Sequence, residues 1–560
     1  MTDLGERFDV VVVGSGAAGS FAALELAEQG LSVLVLEAGR DVGPADMLGA
    51  MGRATRGPNL AGRIKATLSG QWVQARVAFF NSRMVRFLVN DLLHPYRAAA
   101  GAPFLWFRGR QVGGRLHIFG RVLHRWSDAE FAAHPGSKGE AWPIRHADLA
   151  PYYEKAERLL AVQGNADGAE TLPDGAFAGP GKLTLEEQGF KARVEGRWPG
   201  RRVVSWRFAP PDPTPRPTAL EAALATGRVT LRADAVVCEV LTDPATGLAT
   251  GVRYRDRAGR AAHVVQARAV VLGASPVETV RLMLASRSAR HPDGIGNSKG
   301  QLGRYFMDQP ATILLAHFPG ASDDPADDLP LDPVYGKTGG VFLPRYPASA
   351  AASGAQLGYA YQGSIGRTPH VSPAGDRRDA NFMCFSEMQP QADNRITLDP
   401  AAKDRWGVPL PVITCRLGRV ERAELPAQAE DIADMVEDAG GTVTGWISPL
   451  GLTERGEGVY RDLNPVSRWF MRQMLPKSFT MGAAIHETGG ARMGDDPQRS
   501  VLNGWNQCWD APNLVVTDAS AFVSSGTMGT TLTVMALAMR ASAHLAQALR
   551  AGEPLGERAA

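Results

Sequence analysis

The chain reads as an α/β protein in two parts. One is a mostly parallel sheet, assembled from separated stretches of sequence and covered on both faces; the other carries an antiparallel sheet flanked by helices. Three observations predict this. An apolar strand at the start runs directly into a glycine turn and a helix. Strand, turn and helix recur near 270–286 and again near 513–550. Between about 336 and 415 lie short runs with strand-like alternation.

The first stretch is FDVVVVGSGAAGSFAALELAEQGLSVLVLEAG, Phe8 to Gly39. Val10–Val13 is the continuous apolar run of a strand buried on both faces. Gly14, Ser15, Gly16, Ala17, Ala18 and Gly19 follow, a helix is expected from Ala17 to Gln29, and a second strand, Ser32–Leu36, ends on Glu37. The glycines serve a tight turn, close approach to a pyrophosphate and close helix–strand packing, while Glu37 is placed to bond a ribose hydroxyl. The helix N-terminus offers free N–H groups and partial positive charge to phosphates. A lone GxGxxG is weak; strand, turn, helix, strand and acid in order make a dinucleotide site.

Composition narrows the class. The 560 residues suffice for two or more domains, and 60 basic against 58 acidic residues indicate no nucleic-acid partner. Cys238, Cys384, Cys415 and Cys508 are scattered, which argues against a disulfide framework, a metal site or a redox dithiol. The first strand begins too early to leave room for a leader, and no apolar run approaches the ~20 residues of a membrane span. A cytoplasmic location is expected.

Residues 40–105 are less regular and carry Arg53, Arg56, Arg63, Lys65, Arg76, Arg83, Arg86 and Arg97. Interleaved Trp72, Phe79, Phe80 and Phe87 favour a helical flap with solvated or paired arginines over a docking surface. In RGRQVGGRLHIFGRVLHRWSDAEF, residues 108–131, Gly113, Gly114 and Gly120 mark a backbone that approaches something closely. A helix entered through Pro151 follows. The Gly- and Pro-rich 164–218 reads as an extended excursion, either a mobile loop or a lid. Leu231–Val240, Gly251–Arg255 and Ala269–Leu272 are expected strands, and 322–333 a linker. Residues 418–439 are expected to be helical, Asn513–Thr517 a strand ending at Asp518, and 531–550 a strongly apolar helix.

No second GxGxxG and no dithiol appear, so the nucleotide is expected to be a flavin's. GSGAAG with Glu37, the RGRQVGGR…GRVLHRWSD block and HETGGARMG…SVLN…NLVVTDAS…TLTVMALAMR together resemble the glucose–methanol–choline (GMC) oxidoreductases. WNQCWDAPNLVVTDAS and AWPIRHADLAPYYEKAERLL look most like bacterial glucoside 3-dehydrogenases and their sugar- and alcohol-oxidising relatives. The resemblance implies a Rossmann-like, discontinuous FAD-binding domain at 1–150, 227–315 and 480–553. It implies a substrate-binding domain at 151–226 and 316–479. Carried over by residue, Gly14, Gly16, Gly19 and Glu37 hold the ADP part, with Ser15, Ala17, Ala18 and Ala38 beside them. Val237 lies near the adenine, and Gly113 and Gly114, in one block with Arg110, His117 and Gly120, near the pyrophosphate and isoalloxazine. Gly273 and Ala274 form the returning turn, Asp518 lies near the ribityl or pyrophosphate, and Thr531 opens the last helix.

The implied activity is oxidation of an alcohol, of a sugar, glycoside or aromatic compound, by hydride transfer to flavin. That needs the hydroxyl proton removed, a task suited to imidazole. The family's base is the histidine opening H-x-x-G-x-x-R-M-G, here His486. Where relatives carry Asn or His before the last helix, this chain reads Met528-Gly529-Thr530-Thr531, so Gly529 offers no side chain. Losing such a donor costs on the order of 2.7–4 kcal/mol of transition-state stabilisation. Thr527 or Thr530, or a residue of the substrate domain, supplies the donor; otherwise the protein is no conventional alcohol oxidant. Some relatives attach FAD through a histidine that aligns with Ile118, one residue after His117, so non-covalent FAD is expected. A same-fold alternative is a flavin-containing lyase using His486 for acid–base work alone. A third reading is a partner-dependent subunit docking an electron acceptor through 53–97. Oxygen, quinone and cytochrome all stay open as acceptors, as do a small subunit and a homo-oligomer as assemblies.

Overall fold

The computed structural model describes residues 6–47, 60–133, 140–212, 214–320, 331–332, 335–347, 357–367 and 377–552. Arg53, Arg56 and most of the expected 322–333 linker lie outside them. In the first sheet, strand Arg7–Val13 is central, with Val33–Leu36 parallel on one side and Ala262–Leu272 parallel on the other. Val229–Arg232 and Ala511–Val516 extend the parallel order outward. Val10, Val11 and Val12 are wholly buried because both faces of the sheet are covered. Helix Ala17–Glu28 packs on the C-terminal helix Thr531–Ala551, which joins N-terminal and C-terminal sequence in one core.

The second sheet has seven strands, led from one edge by Gly451–Glu454 and Thr442–Ser448, then Ala311–Pro319, Arg377–Ser386, Tyr359–Ile365, Val341–Tyr346 and Val204–Ser205. Its pairings are antiparallel. Leu314, Ala316, Phe318, Phe382 and Cys384 pack against Phe190, Val194, Ile432 and Val436 of helices Leu185–Arg197 and Arg419–Asp438. The alternate residues, Ile313, Leu315, His317, Asn381, Met383 and Phe385, face a cavity instead.

Several expectations need correction. The strand expected at Leu231–Val240 breaks in two, because Asp234 adopts φ +54°, and resumes as Ala235–Thr242. The excursion at 164–218 contains the helix Leu185–Arg197, started by a capping box of Thr184 and Glu187. The division expected at 315 falls inside the strand Ala311–Pro319, whose register with Arg377–Ser386 is continuous. Residues 151–159 and 218–225 belong to helices packed on Thr531–Ala551 and Ala17–Glu28, so they sit with the first sheet. Strand Arg395–Lys403 and its partner Pro409–Thr414 also leave the substrate side, since they pack on helix Pro276–Ala285. In the basic stretch, Arg63 donates to the carbonyls of Ala75, Val77 and Ala78, and Arg97 pairs with Asp399. Among the described residues no helix is long and apolar enough to cross a membrane.

Candidate active site

A continuous cavity of about 890 Å³ runs between the C-terminal ends of the parallel strands and the open face of the antiparallel sheet. This is the crevice where open α/β sheets bind ligands. At one end its wall includes Gly14, Ser15, Gly16, Ala17, Ala18, Glu37, Ala38, Arg110, Val237, Gly273 and Ala274. Gly14 has φ +95°, and a Cβ there would come within 2.5 Å of the Gly273 carbonyl oxygen. A Cβ on Gly16 would meet nothing within 4 Å, so that backbone faces open space. Among the described residues no side chain caps helix Ala17–Glu28, leaving its first N–H groups toward the cavity for an anion.

Ser15 ties the glycine turns together. Its N–H and hydroxyl both donate to Glu37 Oε2, at 3.1 and 2.7 Å, and its Oγ accepts from the Gly113 N–H at 3.1 Å. Glu37 Oε1 accepts from Gly39 N–H at 2.9 Å. Burial pushes the Glu37 carboxyl above its ordinary range. Nearby, burial works against the charge of Glu278, but the guanidiniums of Arg281, Arg110 and Arg108 overcome it and hold the carboxyl at about 2. Gly114 and Gly120 line the cavity, as does Asp518, which accepts from Thr279 and Ser520. This cradle of backbone N–H groups, open glycine backbone and a buried acid fits a dinucleotide.

At the other end stand His486, Gly529, Thr530 and Thr531. The His486 backbone N–H donates to Asp308 Oδ1 at 3.1 Å, its Nδ1 lies 2.6 Å from Gln309 Oε1, and its ring packs on Phe385 at 4.8 Å. Burial, then the nearby Arg115 charge, lowers the imidazole to about 3, so it is a neutral ring. Burial and the adjacent Glu487 charge raise Asp308 to about 7. Glu487 accepts from Arg115 at 2.8 Å. Asp308, Gln309, Arg115 and Glu487 were missed in the sequence, because nothing local marks residues that meet His486 only through the fold.

Four expected site residues do not line the cavity. Gly19 lies behind the turn, where a Cβ would overlap the Gly14 carbonyl oxygen. Gly113 is set back from the cavity wall, its N–H donating to Ser15 Oγ. His117 turns away: its Nε2 is 2.7 Å from Val112 O and its ring stacks on Phe87 at 4.8 Å. The Thr527 hydroxyl donates to Glu130 Oε1 at 2.6 Å and is wholly buried, so it is no donor to a ligand. Thr530 borders the cavity, and its hydroxyl makes no hydrogen bond among the described residues.

A nucleotide cradle at one end of a crevice and a neutral imidazole at the other define a cofactor-dependent oxidoreductase. A family model described as GMC oxidoreductase matches residues 390–538, and one described as FAD dependent oxidoreductase matches residues 9–184. The chain is 28% identical to 2-methyl-1,2-propanediol dehydrogenase of Mycolicibacterium austroafricanum, over 98% of this chain and 96% of that protein. It is 24% identical to the fructose dehydrogenase large subunit of Gluconobacter japonicus, over 97% and 98%. The solved formate oxidase of Aspergillus oryzae RIB40 shares the fold, with a TM-score of 0.61 and 16% identity over 97% of this chain and 98% of that one. Over residues 390–538 the chain is similar to the GMC oxidoreductases, and the named relatives align with it over nearly its whole length. It is an FAD-dependent oxidoreductase acting on CH–OH donors.

Proposed function

We propose that the chain oxidises a CH–OH group of a sugar, glycoside or aromatic alcohol to the carbonyl, with His486 Nε2 as the base. The observation that carries this is the engaged Nδ1 of His486, which leaves Nε2, free of hydrogen bonds among the described residues, beside the cavity. When bound, FAD supplies the two-electron acceptor for the hydride released from the alcohol carbon. His486 accepts the hydroxyl proton at Nε2, and its burial keeps the ring unprotonated and ready to do so. The Phe385 ring packs against the imidazole at a tilt of 40°. The Thr530 hydroxyl donates to the substrate oxygen in place of the side chain that Gly529 lacks. The residues that would hold the cofactor are Gly14, Gly16, Ala17, Ala18, Glu37, Val237, Gly114, Gly273, Ala274 and Asp518.

The attachment is non-covalent in this reading, supported by Ile118 on the cavity wall, which offers no nucleophile, and by His117 facing Val112. Acid-precipitated protein is then colourless, and yellow protein would refute this part. The relatives named as a diol dehydrogenase and a fructose dehydrogenase large subunit support an alcohol or sugar substrate, and the latter name supports assembly with a further subunit. The cytoplasm is the location proposed. The test is a panel of sugars, glycosides and benzylic alcohols added without oxygen. An oxidised substrate bleaches the flavin absorbance. The lyase reading, favoured only by the bare Gly529, requires substrate to be consumed while the flavin stays oxidised.

A further inference from the structure

Gln309 is buried, and its side chain is held at both ends. Its Nε2 lies 2.7, 3.0 and 2.8 Å from the backbone carbonyl oxygens of Ser525, Gly526 and Met528. Carbonyl oxygens only accept, so the amide nitrogen must face this trio; the flipped amide would press its oxygen against three others. The amide is therefore oriented by chemistry and not by assignment. Its Oε1 is left pointing at His486 Nδ1, 2.6 Å away. That oxygen cannot donate, so Nδ1 must carry a proton, and the neutral ring keeps its lone pair on Nε2.

The three carbonyls belong to a pinned loop. Thr527 donates through N–H and hydroxyl to Glu130, Trp142 Nε1 donates to Ser524 Oγ at 2.8 Å, and Met388 N–H donates to Ser525 Oγ at 2.9 Å. The residue before Gln309, Asp308, holds the His486 backbone N–H. One dipeptide thus fixes both the backbone and the ring of His486. The same loop leads directly into Gly529 and Thr530.

We propose that Gln309 is the positioning residue of the base: it locks His486 in the Nδ1–H tautomer and turns the basic Nε2 toward substrate. This rests on the reading of His486 as the base. A misplaced tautomer is costly, up to about 10⁴-fold in kcat in the serine protease triad.

The test uses the FAD-loaded enzyme with ring-¹⁵N-labelled histidine, the His486 signals being those lost in His486→Asn. The wild type should show a protonated Nδ1 and an unprotonated Nε2 from about pH 6 to 8, the range where free histidine would titrate. Gln309→Leu should show mixed tautomers, with kcat lowered on the order of 10²-fold and KM changed by less than about threefold. A wild-type ring protonated at Nε2 would overturn the proposal, as would a Leu variant with unaltered spectrum and kcat. If the Leu variant does not fold, the wild-type spectrum alone decides. An active His486→Ala enzyme would sink the base assignment and leave the tautomer measurement standing.

Discussion

At the residue scale the site turns on His486 and the two positions that follow the loop, Gly529 and Thr530. Burial holds the imidazole at about 3, against 6.5 for a free ring. The folded pKa is lowered, so the unfolded chain binds a proton below pH 6.5 that the folded ring refuses until far lower. The ring's contribution to stability therefore falls as pH drops from 6.5 toward 3. For activity the consequence is that the acid limb of kcat/KM should lie below about pH 5; a limb near 6.5 would contradict a buried neutral base. Thr530→Val should lower kcat on the order of 10²-fold at similar KM, the cost of one lost donor. Thr527→Val should instead lower stability by about 1–3 kcal/mol, because it leaves buried Glu130 short of a donor. Thermal melts and steady-state kinetics on the same two proteins separate these effects. Among the described residues a Cβ on Gly529 would meet only Val122 O, at an ordinary contact of 3.6 Å, so Gly529→Asn meets no backbone clash at its Cβ. A rise in kcat on the natural alcohol would show that the missing amide is a deficit, and a fall that substrate uses the space.

At the scale of elements, the strand–turn–helix at the N-terminus works because three backbones meet without side chains between them. Gly19→Ala would drive a methyl into the Gly14 carbonyl. Since backbone cannot yield as a side chain can, the variant should lose FAD on gel filtration, with overpacking costing about 1–3 kcal/mol or more. A variant that keeps its yellow colour and melting temperature would refute that account. This element was legible in the sequence because its glycines, helix and Glu37 are contiguous. The helix Leu185–Arg197 was not, although Thr184 and Glu187 form its capping box, because the surrounding Gly and Pro residues outweighed the signal. The break at Asp234 was hidden for another reason: one left-handed residue leaves the apolar pattern on either side unchanged.

For the molecule as a whole, the sheet is completed by strands far apart in sequence, and the return of the chain near 262–272 and 511–516 could be read from apolar runs. The site could be read only in part. His486 and Gly529 stood out through the family motif, whereas Gln309 and Asp308 reach His486 across 177 and 178 residues, Glu130 reaches Thr527 across 397, and none has a local signature. Domain limits were shifted because helices that look like the start of the substrate domain cover the first sheet instead. The central claim is that His486 takes the hydroxyl proton of an alcohol whose hydride a bound flavin would accept. Its most direct test is the rate of flavin bleaching after anaerobic mixing with substrate, in wild type and in His486→Ala that retains FAD. The wild type should bleach in a single turnover, and the variant about 10²–10⁴-fold more slowly. Equal rates, or substrate conversion with the flavin left oxidised, would contradict the account.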